Sequence, residues 1–212
     1  KHGKNDAADA AAICEAVTRP NMRFVPVKTV DQQGKLFVHR AHQGYVAERT
    51  ALINRIRGLL SELGLVFPQA FKAFHQGVHA ALEDLPGYCN QVIGELMNEL
   101  HHIQERIAKS ERQIQLMAKE DAQAQRLMQL RGIGPATASA IVASIGNGHD
   151  FKNGRQFSSW LGLAPRQHSS GGKAKLGSIT KAGDNYLRTL LVLGARSVLM
   201  TATNKKDAVS RW

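Results

Sequence analysis

The chain has 212 residues, 43% of them hydrophobic and 21% charged. That composition belongs to a globular protein with one large domain or two small ones, and it excludes a disordered chain. No run approaches the roughly 20 apolar residues of a membrane span, and the N-terminal Lys-His-Gly-Lys-Asn-Asp lacks the apolar core of a signal peptide. The net charge of +11 is concentrated: residues 152–212 hold 11 Lys and Arg against two acids, Asp184 and Asp207. Such a surplus among glycine-rich segments favours a polyanionic partner, above all nucleic acid. Two cysteines, Cys14 and Cys89, show no metal-ligand spacing, as expected of a reduced, cytoplasmic protein. The missing initiator Met and the abrupt end at Trp212 lead us to expect a fragment, open at both ends.

In chain order, residues 5–17 read as a helix. Asn5 can cap it, and Asp6 and Asp9 fall in its first turns. Arg19-Pro20-Asn21 breaks it, and Met22–Val27 has the look of a short edge strand. From Asp31 to Leu63 no proline intervenes, and Leu36, Leu52, Ile53, Ile56, Leu59, Leu60 and Leu63 recur at helical spacing, with Gly64 as the stop. A second long helix is expected over 88–117, on a mixed stripe of Val92, Leu96, Glu99, Ile103, Arg106, Ile107, Ile114 and Met117. The two helices suggest an antiparallel coiled-coil arm or a plain helical hairpin in a bundle. His39/His42 and His75/His79 sit at helical spacing, but no nearby Cys or acid completes a zinc site around either pair.

After a helix at 121–130, Gly132-Ile133-Gly134 precedes Pro135 and a further helix stopped by Gly146. This is a helix-hairpin-helix signature. Its glycines permit close backbone approach, and a Pro-led helix presents its positive dipole end to a phosphate. The alternative is a tight interhelical turn that touches no ligand. A short helix at 154–161 follows. Then comes a loop at 164–182 with a small hairpin expected across Lys173–Ile179, and a last helix capped by Asp184.

Asp6 and Asp9, three residues apart on a helix, share a face and could ligate Mg²⁺; acids also settle in first turns simply to balance the helix dipole. Ser169 and Ser170 precede Gly171-Gly172 among Arg166, Lys173, Lys175, Lys181 and Arg188. Cations around a mobile hydroxyl could stabilise the charge that develops when a phosphodiester is attacked, although serine and glycine also make ordinary loops.

Two stretches resemble one known family. Lys4-Asn5-Asp6-Ala7-Ala8-Asp9-Ala10 is similar to a motif holding the last two acids of the DEDD-type insertion-sequence transposases. Gly162-Leu163-Ala164-Pro165, Ser170-Gly171-Gly172, Gly177, Ile179-Thr180-Lys181, Gly183 and Leu187-Arg188 resemble their C-terminal signature. The family is usually named "IS one-ten", with an "IS eleven-eleven" branch. The resemblance implies a metal-dependent RuvC-like (RNase H-fold) domain, a coiled-coil linker and a C-terminal domain whose serine joins covalently to DNA. A guide RNA from the same element is a further implied partner. By position, Asp6 and Asp9 match metal ligands and Ser170 the nucleophile, with Ser169 adjacent. The family's first Asp and its Glu would lie upstream of Lys1, and neither Glu15 nor Glu48 stands in a matching motif.

The resulting expectation is a mainly α chain in three parts. Residues 1–30 would be the tail of a RuvC-like α/β domain, 31–119 a helical coiled-coil linker, and 120–212 a helix-hairpin-helix serine transposase domain. Ser170 is the expected nucleophile, and Asp6 and Asp9 the expected Mg²⁺ ligands of the intact enzyme. Arg131, Gly132, Gly134, Arg166, Lys173, Lys175, Lys181 and Arg188 are the expected DNA contacts. A homodimer or homotetramer would supply the several nucleophiles that exchange of two duplexes needs. The fragment alone is expected to be inactive. The rivals are a non-enzymatic helix-hairpin-helix DNA-binding module and an inactive transposase remnant.

Overall fold

A computed structural model of the protein describes residues 5–20, 22, 27–168 and 175–202. They are mainly helical. The first helix, α1 (Asp6–Thr18), starts where Asn5 Oδ1 accepts the Ala8 N–H at 2.8 Å. It buries no residue and packs on no other described element. The expected strand at Met22–Val27 lies largely outside the described residues.

Two long helices organise the rest. Helix α2 (Val30–Glu62) opens with a reciprocal capping box: the Gln32 N–H donates to Thr29 Oγ1, and the Thr29 N–H donates to Gln32 Oε1. It closes before Gly64, whose φ of +78° reverses the chain. The segment beyond folds as α3 (Phe71–Ala81) and a single 3₁₀ turn (Leu82–Asp84), which lead into α4 (Gly87–Glu120). At 33 and 34 residues, α2 and α4 are each about 50 Å long. They run antiparallel, because Lys35 pairs with Asp121 at one end and His42 with Ser110 further along.

At the α3 end of this hairpin Leu52, Ile56 and Leu60 of α2 pack with Phe74 and Val78 of α3 and with Ile93, Met97, Leu100, Ile103 and Ile107 of α4. The buried stripe of α4 thus lies one position on from the expected one over its first turns. Val92 is 45% exposed and Glu99 faces solvent, while Ile93, Met97 and Leu100 take the core. Both registers offer apolar residues there, and the one that leaves Glu95, Glu99 and Arg106 in water is adopted.

The C-terminal part wraps around α6 (Pro135–Ile145), which buries every residue from Thr137 to Ala143 and so forms the centre of its layer. On it pack α5 (Ala122–Met128) and α8 (Asn185–Ala202), with α2 and α4 on a further side. The short α7 (Gly154–Trp160) adds Phe157, Trp160 and then Leu161 to the core, beside Leu187. Asp121 caps α5 by accepting the Gln123 and Ala124 N–H groups, and Lys35 of α2 binds its other oxygen at 3.3 Å. Asp184 caps α8 by accepting the Leu187 N–H at 3.0 Å.

The turn between α5 and α6 meets α8 backbone to backbone. A Cβ on Gly132, whose φ is +83°, would stand 2.7 Å from the Gly194 carbonyl oxygen, and a Cβ on Gly194 would overlap the carbonyl oxygen of Gly132. Gly to Ala in an unpacked helix gains about 1 kcal/mol. At Gly194 the sign reverses: Gly194→Ala should lower the unfolding free energy by about 2–3 kcal/mol, read from urea midpoints, because α8 must lift off the turn.

Candidate nucleic-acid interface

Two exposed structures carry the expected DNA contacts. The first is the turn from Gln129 to Gly134. Ile133 N–H donates to Leu130 O at 3.1 Å, and Gly134 serves as N-cap of α6 with no side-chain cap. Pro135, at the first helical position, has no N–H to satisfy. Gly134 is exposed and nothing lies within 4 Å of where its Cβ would be, so a phosphate can come up to this backbone and to the positive end of α6. The two glycines therefore divide the work. Gly132 is used for packing against α8, and Gly134 is the open one. Arg131 is exposed beside them.

The second structure is an antiparallel pair, β1 (Pro165–Gln167) and β2 (Leu176–Ile179), in which Pro165 faces Ile179 and Gln167 faces Leu176 across an irregular register. The hairpin is thus wider than the one expected across Lys173–Ile179. Hydrogen bonds extend the ladder at both ends, from His168 N–H to Lys175 O and from Lys181 N–H to Gly162 O. Ser169, Ser170, Gly171, Gly172 and Lys173 fall in the connection between the strands and lie outside the described residues. Arg166, Lys175 and Lys181 are exposed, and Arg166 donates to Thr180 O.

Arg188 is placed differently from the other cations. It is 8% exposed, and its guanidinium donates to Leu161 O at 2.9 Å, to Gly183 O at 3.2 Å and to Asn185 Oδ1 at 2.9 Å. The two carbonyls belong to the two ends of the excursion that carries the serines. The ends also touch directly: a Cβ on Gly162 would come within 2.5 Å of the Ala182 nitrogen, and one on Gly183 would overlap the Trp160 carbonyl. Arg188 fastens the neck of the hairpin, with its charge turned inward.

Asp6 and Asp9 are exposed on α1, apart from both structures. Among the described residues no group of three His, Cys, Asp or Glu could hold a metal ion. Two carboxylates on an unpacked helix do not make a Mg²⁺ site by themselves. The rings of His75 and His79 lie 4.6 Å apart between centroids, tilted by 55°, without forming a metal cluster among the described residues.

A buried hydrogen-bond chain has no counterpart among the sequence-based expectations. His39, 1% exposed on α2, has Nδ1 3.0 Å from Tyr186 Oη on α8 and Nε2 3.1 Å from Ser139 Oγ on α6. Burial first, and the charge of nearby His42 second, push its pKa down to about 4. A neutral imidazole donates through one nitrogen and accepts through the other, so this one ring joins three helices.

Residues 124–210 match the model of the "Transposase IS116/IS110/IS902 family". The whole chain aligns with a "Probable family 20 transposase" of Pseudomonas aeruginosa at 49% identity, covering 64% of that protein. It aligns likewise with the "Transposase for insertion sequence element IS1111A" of Coxiella burnetii, at 42% identity over 59% of it. The "Transposase for insertion sequence element IS1328" of Yersinia enterocolitica is 36% identical, again across the whole chain and 64% of the relative. The C-terminal part of the chain is thus similar to this family, and the whole chain is similar to relatives named transposases. It spans roughly three fifths of the length of these relatives. The family match covers both exposed structures, the Gly134 turn and the β1–β2 hairpin, while Asp6 and Asp9 fall outside it. No described helix is long and apolar enough to cross a membrane.

Proposed function

We propose that this chain carries the DNA-gripping and strand-exchange part of an insertion-sequence transposase. The observation that carries this reading is the coincidence of the family match at 124–210 with the exposed cations of the turn and the hairpin. In this reading α5, the glycine turn and α6 act as a helix-hairpin-helix. Gly134 and the start of α6 hold a DNA phosphate through backbone groups, which grips without reading bases. The hairpin then presents Ser170 to a second phosphate. Its Oγ attacks phosphorus, an Oγ–P bond forms and the bond to a deoxyribose oxygen breaks. The serine proton is lost and one proton reaches the departing oxygen. Arg166, Lys173 and Lys175 offset the charge that develops on the phosphorane. Arg188 acts as a positioning residue for the hairpin neck.

Asp6 and Asp9 are assigned as two ligands of a divalent ion whose other ligands lie outside this chain, and no step here depends on that ion. Assembly of two or more copies would bring the nucleophiles that exchange of two duplexes requires. The test is denaturing electrophoresis of the intact transposase trapped on labelled element-end DNA. A protein–DNA adduct stable to denaturant is expected, and its absence would leave a binding module.

Grip and chemistry separate in a second measurement. Duplex affinity of this chain should fall roughly tenfold or more between low and physiological salt, as phosphate-driven binding does. Gly134→Val should weaken binding to unrelated sequences by a similar factor and lower the unfolding midpoint only slightly, since the added side chain enters open space and only the helix cap is poorer. A loss confined to one sequence would mean that this turn reads bases.

A further inference from the structure

We propose that the cavity between the start of α2 and the α6–α7 connection is a pocket for one unstacked nucleobase of a DNA strand. Its volume is about 680 Å³, within the roughly 300–1,000 Å³ of small-molecule sites. The walls are aromatic. Trp160 stacks on Phe157 at 6.0 Å with 18° between the rings, and Phe151 meets Trp160 edge-on at 5.6 Å. Trp160 and Phe151 line the cavity, and a fixed indole is a stacking surface for any base.

The remaining lining supplies the edge chemistry of a base. Asn147 accepts the His149 N–H and Gln156 accepts the Lys152 N–H, each through its side-chain oxygen. Those bonds fix the two amides, while among the described residues Nδ2 of Asn147 and Nε2 of Gln156 have no hydrogen-bond partner. Asp150 adds an acceptor and Lys28 a cation at the same cavity. Amide donors suit the carbonyl and ring nitrogen of a base, and a carboxylate suits an exocyclic amine. A purely apolar ligand would strip water from these groups without replacing it. An anionic ligand would meet Asp150. A flat, neutral, polar-edged ring meets neither objection.

Position supports the same occupant. The Trp160 backbone carbonyl lies against Gly183, so the residue that carries the indole also borders the neck of the hairpin. A strand whose phosphate is held at the hairpin has a base to turn out, and a base taken out of the stack needs such a pocket. The inference rests on the reading of the chain as DNA-acting.

Trp160 reports on its own pocket. The sequence has two tryptophans, so Trp212→Phe leaves Trp160 as the only indole. In that background a four-residue oligodeoxycytidylate should quench the emission saturably. Oligodeoxythymidylate, which lacks the exocyclic amine, should bind about tenfold more weakly. The exposed Asp150→Ala change should erase that preference, and Asn147→Ala with Gln156→Ala should weaken both oligonucleotides about tenfold, with helical content checked by circular dichroism. Equal quenching by the two oligonucleotides, a preference that survives Asp150→Ala, or tighter binding of oligoribocytidylate would each overturn the proposal. Duplex binding, read by gel mobility shift, separates the two failures. A duplex shift without single-strand quenching removes the pocket alone, and no binding of either removes the DNA reading too.

Discussion

Ser170→Ala in the intact transposase should abolish the covalent adduct and strand exchange while leaving DNA affinity within a few-fold. A neutral hydroxyl contributes only about 1 kcal/mol to binding, so the proposed grip through Gly134 and the hairpin cations should survive its loss. The covalent bond has no substitute, because the reacting oxygen itself is gone. Ser169→Ala should do much less. An adduct that persists in Ser170→Ala and disappears in Ser169→Ala would move the nucleophile by one residue. One that persists in both would take serine chemistry out of this segment. Arg188→Lys offers a contrast: a single ammonium cannot reach Leu161, Gly183 and Asn185 with a guanidinium's planar geometry. It should slow adduct formation and leave duplex affinity unchanged.

Acid should destabilise the fold through His39. Its ordinary pKa of 6.5 falls to about 4 in the folded protein because the ring is buried among helices. Above pH 6.5 the imidazole is neutral in both states and stability is unaffected by it. As pH falls from 6.5 toward 4, the unfolded chain takes up the proton first, and stability drains away. The loss accrues at roughly 1.4 kcal/mol for each pH unit of that window and reaches about 3 kcal/mol at its acid end. His39→Gln keeps a donor and an acceptor near Tyr186 and Ser139 and has nothing to titrate. The variant should be less stable than the parent at neutral pH, and the gap should narrow steadily toward pH 4 in urea titrations. Parallel stability curves for the two proteins would refute this account.

Much of the helical order was legible because it depends on neighbours in sequence. Asn5, Gly64, Pro135, Gly146 and Asp184 mark helix ends through local caps and breakers, and the helices fall where those residues put them. The stripe on α4 was harder. Val92 and Ile93 are both apolar, and only the partner helix decides which one is covered. His39 and His42 looked like a spacing for metal, whereas the structure spends them on Ser139, Tyr186 and Ser110, residues 68 to 147 positions away. No local pattern announces such bonds. Arg188 posed the same difficulty: in sequence it is one more cation in a basic segment, and only the closed neck shows where its charge goes. The cavity at Trp160 joins residues from the start of α2 to those around α7, a juxtaposition that periodicity does not carry.

The closed neck also bears on how this fold can change. Gly162 and Gly183 stand side by side, fastened from below by one buried guanidinium, and the β1–β2 ladder lies between them in sequence. Stability is therefore largely indifferent to what happens further out. Doubling the length of a closed loop costs only about 0.6 kcal/mol, as long as its ends stay joined. Insertions, deletions and exchanged sequence beyond the β1–β2 ladder can alter reach and charge without being felt at α6 or α8. Such an arrangement lets the sequence between the two strands change in length and charge over a body that stays the same.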